Sequence, residues 1–446
     1  MPAENNAPAG APRSGLHTFV NRLVLVEPHE LTALLSAFAT IFFMFACYTM
    51  MRPIRETMGL ASGVENLPAL FWGTFIAMLA VQPLYGWLTS KFPRTAFLPW
   101  VYLFFTANIL GFWLWFNLES DHTWIARAYF IWVSVFTLFI VAVFWSLMAD
   151  VFTREQAGRM FGFIAAGAST GGLVGPFLSG RLAIPLGTIN LLLISAVLLG
   201  VAQFFMLKIL RWHREHGTDS KRGEPEKALG GSSLAAFMQV VRSPYLLGIA
   251  LFVFLLTWVS TFMYLEQQAH VAKAFASRDE RTAFFSNIDF WVQALSLALQ
   301  MLIFGRLFKR VGLAVMIVSV PLLMTLGYVA YALVPTFFIA VAAMMVRRVG
   351  EYSIARPCRD TLYTVVTREE KYKAKSLIDT FIYRGGDATS ASVHHLLTAV
   401  MGLGSAGVGW FGAAISAIWA IVSFSLGRTA QAKRDPSATA APRGGH

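Results

Sequence analysis

The 446-residue sequence contains only two cysteines, Cys47 and Cys358. Two are too few for a disulfide framework, and neither stands in a Cys-x-x-Cys or Cys/His spacing that would hold zinc. Charge is also scarce: Asp, Glu, Lys and Arg make up 13% of the residues, about half the roughly 25% of a soluble domain. Acid is the scarcer sign, with 24 Asp and Glu against 36 Lys and Arg and a formal net charge of +12. The first thirty residues are polar and rich in Pro, Ala and Gly, and lack a short apolar core followed by a small-residue cleavage site. No removable signal peptide is therefore expected, and the first spanning segment should serve as the targeting signal.

What is abundant is apolar: 56% of residues are hydrophobic, and the mean hydropathy is +0.59. A single core stops growing near about 250–300 residues, so this much apolar surface must face lipid; the same composition excludes a disordered chain. Twelve segments of about 20 mostly apolar residues are long enough to cross a bilayer. They begin near Leu31, Leu67, Thr95, Trp124, Phe161, Thr188, Tyr245, Phe284, Leu313, Thr336, Ser376 and Ala406. Strand alternation is absent, which excludes a barrel, and Trp100, Tyr102, Trp113 and Trp115 of the third span resemble interfacial anchors. The expected architecture is an all-α integral membrane protein with twelve transmembrane helices in two six-helix halves. Residues 31–210 and 244–428 are the halves, 211–243 a cytoplasmic linker, and 1–30 and 429–446 cytoplasmic tails. Within the linker, Leu234–Val241 fits either a surface amphipathic helix or the linker's end.

The cations set the orientation, because cytoplasmic loops are enriched in Lys and Arg. With the N-terminus inside, 26 of the 36 fall in the tails and the inner loops. Seven fall outside, namely Arg52, Arg55, Arg127, Arg181, Lys273, Arg278 and Arg281, and three (Arg347, Arg348 and Arg384) fall within spans. Both termini are thus expected in the cytoplasm. The basic balance then follows from topology and contact with anionic lipid heads, without nucleic acid as a partner.

Two internal repeats are visible. Pro28 and Tyr48 bracket span 1 as Pro244 and Tyr264 bracket span 7, at an offset of 216. Phe71-Trp72 and Gly86-Trp-Leu in span 2 recur as Phe290-Trp291 and Gly305-Arg-Leu in span 8, and Thr153-Arg154-Glu155 recurs as Thr367-Arg368-Glu369. Nearly equal offsets indicate a parallel duplication of the halves, the relation found in major facilitator transporters. The second echo pairs Tyr48-Thr-Met-Met-Arg52-Pro53-Ile-Arg55-Glu56-Thr57-Met58 with Tyr352-Ser-Ile-Ala-Arg356-Pro357-Cys-Arg359-Asp360-Thr361-Leu362. The first copy ends span 1 at the outer face and the second ends span 10 at the inner face, as expected of two gates. Cys47 and Cys358 belong to these opposite ends, roughly 30 Å of bilayer apart, and should not pair.

Ionised residues inside a membrane are functional candidates by default. Arg347, Arg348 and Glu351 stand more than halfway along span 10, and Asp379, Arg384 and Asp387 lie in span 11. Spacing allows i,i+4 pairs between Arg347 and Glu351, Arg356 and Asp360, and Arg52 and Glu56. Arginine outnumbers acid among these positions, which points to an anionic or zwitterionic solute, since guanidinium forks bind carboxylate or phosphate and stay charged when desolvated. The alternative is mutual neutralisation, with the surplus reaching the interface. His394-His395 is read as interfacial packing or a proton shuttle, and Glu266, Asn287 and Asp289 as residues at the outer lip.

Gly167, Gly171, Gly175-Pro176 and Gly180 in span 5 give a face for close helix packing, and with Arg181 resemble the antiporter motif of the major facilitator superfamily. Gly86-Trp-Leu-Thr-Ser-Lys91-Phe-Pro-Arg94 resembles that superfamily's motif between spans 2 and 3, with Ser90 at its usual Asp. The Arg52-Pro-Ile-Arg55-Glu56-Thr57 and Arg356-Pro357-Cys-Arg359-Asp360-Thr-Leu-Tyr363 stretches resemble the signature of the ATP/ADP translocase family, nucleotide exchangers of plastids and intracellular bacteria. Glu369-Glu370-Lys371-Tyr-Lys373-Ala-Lys375-Ser-Leu-Ile-Asp379 and Arg384-Gly-Gly extend the likeness. Lysines of that family are Arg here, and its final Gly-Lys is Gly386-Asp387. The resemblance implies that Arg52, Arg55, Arg359 and Arg384 face phosphate or act at gates, with Glu56 and Asp360 as switching partners.

Substrate binding is accordingly assigned to Arg52, Arg55, Arg347, Arg348, Glu351, Arg359 and Arg384, and gating or ion coupling to Glu56, Arg356, Asp360, Asp379 and Asp387. The expected protein is a monomeric secondary transporter of the bacterial inner membrane, with no cofactor or metal. Its cavity is lined by spans 1, 4, 7 and 10 and carries an anionic or zwitterionic solute by alternating access, nucleotide exchange included. Without a Gly-x-x-x-x-Gly-Lys-Ser/Thr motif, energy should come from exchange or an ion gradient. A proton-coupled carrier of a siderophore, peptide or drug is the competing reading. A membrane enzyme or receptor fits worst, for want of a nucleophile–base pair, a metal cluster or an extramembrane domain.

Overall fold

The computed structural model describes residues 24–91, 94–216 and 233–434. Residues 1–23 of the first tail, 217–232 of the linker and 435–446 of the last tail lie outside the described residues, as do Phe92-Pro93 of the motif between spans 2 and 3.

The chain is all-helical among the described residues. The first six spans are α1 (Leu31–Ala61), α2 (Leu67–Lys91), α3 (Arg94–Leu118), α4 (Thr123–Val151), α5 (Arg154–Leu186) and α6 (Leu191–His216). After a short helix, Ser233–Arg242, come α7 (Pro244–Ala274), α8 (Arg278–Leu299), α9 (Gly305–Leu333), α10 (Phe337–Gly350), α11 (Arg368–Leu377) and α12 (Ser405–Arg434). Nine helical stretches among the described residues are long and apolar enough to cross a membrane. One of them, Arg278–Leu333, joins α8 through the π turn Gln300–Phe304 to α9, and the backbone breaks inside α9 at Gly312, whose φ is +76°. α10 and α11 fall outside the nine because charges and π turns interrupt them. α10 continues through a π turn, Glu351–Ala355, into Arg356–Leu362, and α11 through Ile378–Ile382 into Tyr383–His395. Pro357 has no N–H to close an i→i−4 bond, a standard cause of such a break.

Helix starts explain one of the repeats. Thr153 and Thr367 each cap a helix through a capping box, with Gln156 and Glu370 returning the bond. The recurrent Thr-Arg-Glu marks the same local event, the start of α5 and of α11. Ser277 and Glu280 form a third box at α8. The linker boundary differs from expectation, since Arg211–His216 continue α6. Trp212 donates to the His29 carbonyl at 2.8 Å and Arg159 to that of Leu25 at 2.7 Å, which fastens the end of the first tail to this half.

Each half has its own apolar core, one from α1 and α3–α6 joined by Ala283 of α8, and one from α7 and α9–α12 with Val240 of the preceding short helix. Tyr102, expected as an interfacial anchor, is buried in the first core and meets Met44 Sδ at 3.4 Å. The halves meet at the end of the bundle where α1 and α7 terminate. There Leu60, Val271 and Phe285 form one shared cluster, and Leu67, Leu70, Phe130, Leu265 and Ala391 another. Polar ties reinforce this closed end: Thr57 to Thr282 at 2.8 Å, Ser179 to Ser286 at 2.7 Å, the Thr188 N–H to Asp279 at 2.7 Å, and Arg278 to His122. Along the seam of α2 with α11, the Trp72 indole donates to Ser392 at 2.8 Å.

The glycine stripe of α5 lets α1 approach closely. A Cβ on Gly171 would stand 2.2 Å from the Phe42 carbonyl oxygen, and one on Gly175 2.2 Å from Thr49 Oγ1. Gly162, on the same helix, has nothing within 4 Å. Gly171→Ala is therefore expected to cost roughly 1–3 kcal/mol by overpacking and to lower the Tm of the detergent-solubilised protein, with Gly162→Ala as the neutral control. Equal Tm values for the two variants would disprove the close α1–α5 contact.

Candidate functional site

Between the halves lies a cavity of about 610 Å³ whose wall contains Arg52 and Arg55 of α1, Arg347 of α10, Arg356 and Arg359 of its continuation, and Arg384 of α11. Among the described residues, three carboxylates share this wall: Glu56, Asp379 and Asp387. The α4 side is uncharged, built from Val133, Ser134, Thr137, Val141, Ala142 and Trp145. Tyr48, Tyr264, Tyr352 and Tyr383 add phenol groups among the arginines. The cavity thus has a cationic side and a neutral side.

The repeated motif explains much of this. Tyr48, Arg52 and Arg55 of α1 line the cavity, and so do their echoes Tyr352, Arg356 and Arg359. The match fails at the last acid: Glu56 is on the wall, whereas Asp360 is turned outward to Lys375 Nζ at 2.7 Å, with its side chain 56% exposed.

Two pairs expected from spacing are replaced by others. Glu56 does not take Arg52. It accepts from Arg55 at 2.8 Å, Tyr264 at 2.6 Å and Gln268 at 3.0 Å, and three near donors satisfy a desolvated carboxylate better than one distant cation. Arg52 reaches the other half instead, donating to Tyr352 at 3.2 Å and standing 3.7 Å from Asp289. Arg356 lies over the Tyr352 ring and 3.9 Å from Glu351, not beside Asp360, because the π turn sets its direction. The third expected pair is present, with Arg347 Nη1 2.6 Å from Glu351 Oε2.

The remaining charges are also paired. Arg348 sits off the cavity wall and holds Asp289 at 2.6 Å, with its Nε and Nη2 unpartnered. Arg359 stands 3.4 Å from Asp379, outside hydrogen-bonding geometry. Arg384 stands 3.5 Å from Asp387, which also accepts from Thr261 at 3.2 Å. Gly386 permits this approach: a Cβ there would lie 2.2 Å from Thr257 Oγ1 of α7. Arg55 is further held over the Phe130 ring, 3.7 Å from its centre.

Asp289 and the four tyrosines are the wall and support residues that the sequence reading missed. Asp289 looked like a lip residue because span 8 was placed from Phe284. The capping box at Ser277 starts the helix earlier and puts Asp289 three turns inside. Glu266 likewise is no lip residue. It is buried in the second half, accepting from Tyr331 and, at 2.8 Å, from His394, while His270 meets the Tyr331 hydroxyl at 3.0 Å. Both cysteines are buried and free.

Comparison with known proteins gives consistent results. The family model described as Major Facilitator Superfamily matches residues 134–386. ADP,ATP carrier protein 1 of Chlamydia muridarum (strain MoPn / Nigg) is 21% identical over 472 aligned residues, covering 88% of this chain and 87% of the relative. ADP,ATP carrier protein 2 of Chlamydia pneumoniae is 21% identical over 359 residues, 66% of this chain and 65% of its own. Among solved structures, a bacterial homologue of the iron transporter ferroportin in an inward-facing state superposes with a TM-score of 0.65 at 13% identity, covering 90% of this chain and 98% of its own. A POT family transporter in complex with 5-aminolevulinic acid gives 0.61 at 12% identity, with 89% and 96% covered. At these identities the structures speak for the fold alone.

The Arg347–Glu351 pair offers a direct test of burial at the site. Its two side chains are 8% and 7% exposed, so Glu351→Ala should strand a buried guanidinium and cost about 3–5 kcal/mol. The double variant Arg347→Met with Glu351→Leu should recover most of that loss in thermal unfolding. No recovery would show that the two charges are not energetically paired.

Proposed function

The chain belongs to the Major Facilitator Superfamily, and on that premise we propose that it is a secondary carrier of an organic anion, exchanging one anion for another by alternating access. The observation that carries this is the central cavity with six arginines and three carboxylates on its wall. A guanidinium without a full counter-charge in a membrane cavity is costly, and a bound carboxylate or phosphate supplies what is missing. The relatives are named ADP,ATP carriers, which makes a nucleotide the first candidate. The neutral α4 side with Trp145 suits the uncharged part of such a solute, and the arginines of α1, α10 and α11 its charged part.

Exchange follows from the same surplus. Reorientation of the empty carrier would close its unbalanced cations away from water, a cost that a bound anion offsets. With both tails cytoplasmic, as the cation distribution predicts, the closed end is external and the carrier is inward-facing. Arg52, Arg55, Arg347, Arg359 and Arg384 then contact the solute, while Arg348 and Glu351 support it from behind. Glu56, Arg356, Asp379 and Asp387 change partners during the cycle. Asp360, paired with Lys375 at the surface, acts on the open side rather than in the cavity. The buried Glu266–His394–Tyr331 group favours one other reading, a proton-coupled carrier.

Counterflow in proteoliposomes distinguishes these. Radiolabelled ADP, ATP, phosphate and citrate are tested against internal unlabelled solute with no pH gradient. Exchange of at least one is expected, and strict dependence on a proton gradient would establish the proton-coupled reading instead. For the accepted solute, Arg347→Ala should weaken affinity by about 10–100-fold, the loss of one charge-assisted bond. Unchanged affinity and uptake in a folded Arg347→Ala protein would remove span 10 from the binding site.

A further inference from the structure

Asp289 has no place in this binding scheme, yet it is buried at 5% exposure and joins cations from both halves. One carboxylate oxygen is 2.6 Å from Arg348 Nη1 of α10, within its own half. The other is 3.7 Å from Arg52 Nε of α1, in the opposite half. Arg52 also donates to the Tyr352 hydroxyl, in the π turn that continues α10, at 3.2 Å, so both of these partners lie across the divide.

The two contacts are unequal in a way that gives them roles. Arg348 is off the cavity wall and grips Asp289 at full charge-assisted distance, which fixes the acid within its half. Arg52 is on the cavity wall and is held more loosely. It is the member of the set that a solute in the cavity can reach.

We propose that Asp289 is an internal counter-anion: in the unloaded carrier it draws Arg52 across the divide and helps keep the α1 end of the bundle closed. An anion that takes Arg52 removes the attraction and frees the halves to move apart there. This second step rests on the anion-carrier reading, whereas the first concerns the protein alone and is measured without solute. The acid and its two cations form a net positive set, so replacing Asp289 leaves two buried arginines facing one another across the halves.

The test reads the distance between the halves at the closed end. Cys47 and Cys358 are replaced by Ala, and nitroxide labels are placed at Ser120→Cys and Lys273→Cys, both exposed and on opposite halves. Pulsed electron paramagnetic resonance on the unloaded protein then gives the populations of short and wide separations. Asp289→Asn and Arg52→Gln should each raise the wide population about fivefold, the ratio made by ~1 kcal/mol. The double variant should go no further than the singles, because both remove the same tie. Unchanged distributions, or additive shifts in the double variant, overturn the proposal. Should Asp289→Asn not fold, Arg52→Gln keeps the Asp289–Arg348 pair and decides alone, its shift supporting the tie and its absence refuting it. Failure of the unsubstituted protein to exchange any anion would sink the carrier reading while leaving the distance result intact.

Discussion

Uncompensated guanidinium charge in a low-dielectric cavity is the constraint on which the rest of this structure depends. Guanidinium groups within a membrane protein are costly unless they are paired or face a water-filled cavity. The chain meets this cost locally, by sharing each carboxylate. Glu351 receives Arg347, the more distant Arg356, and the Tyr383 hydroxyl at 3.4 Å. Asp289 serves two arginines, and Glu56 takes one arginine and two neutral donors. Such sharing leaves the cavity wall with more arginines than carboxylates, the imbalance on which the proposal of an anionic solute rests.

The backbone supports this with π turns that, among the described residues, all lie in the second half. Described π turns occur at Gln300–Phe304, Glu351–Ala355, Ile378–Ile382 and Leu396–Val400, all after the linker. Two of them carry or flank the charges of the site: Glu351 and Tyr352 lie in the second, and Asp379 in the third. A π turn adds a residue to the helical circuit and rotates the helix beyond it, so one helix can present Arg347 and Arg356 to the same cavity although regular spacing would separate them. In α1 the same motif works from a continuous helix with Pro53 inside it. The duplicated motif therefore serves two local geometries.

Much of the fold and part of the site could be read in the sequence, and the division has physical causes. Segment hydropathy located the helices because lipid demands long apolar runs, and it located α10 and α11 even though charges keep them from being plainly apolar spans. The Thr-Arg-Glu repeat was legible because capping is local. The glycine stripe of α5 was legible because close packing requires it at fixed spacing. Pairing was less legible. Arg347–Glu351 follows helical spacing, but Arg52 and Glu56 share that spacing and ignore each other, since partners from α7 and α8 lie nearer. Spacing gives the pairs that one helix permits, and tertiary contact chooses among them. Asp289 is placed at the lip by the sequence for a smaller reason, a helix start taken about six residues, or nearly two helical turns, too late, which turns a buried acid into an apparent surface one.

The arrangement of charge between the halves bears on how movement is sensed. Four of the six cavity arginines belong to the second half, while the first contributes Arg52, Arg55 and the carboxylate Glu56 from α1 and a neutral wall from α4. Arg55 is fixed within its half by Phe130 and Glu56. Arg52, by contrast, takes its hydrogen bond from Tyr352 and its counter-charge from Asp289, both in the opposite half. A solute charge entering the cavity thus meets a half already dense in cations and one arginine of the other half held loosely in place. Its effect on the separation of the halves passes through the two arginines of α1, Arg52 directly and Arg55 by way of Glu56, which accepts from Tyr264 and Gln268 of α7; the remaining four move with the half to which their own counter-charges belong.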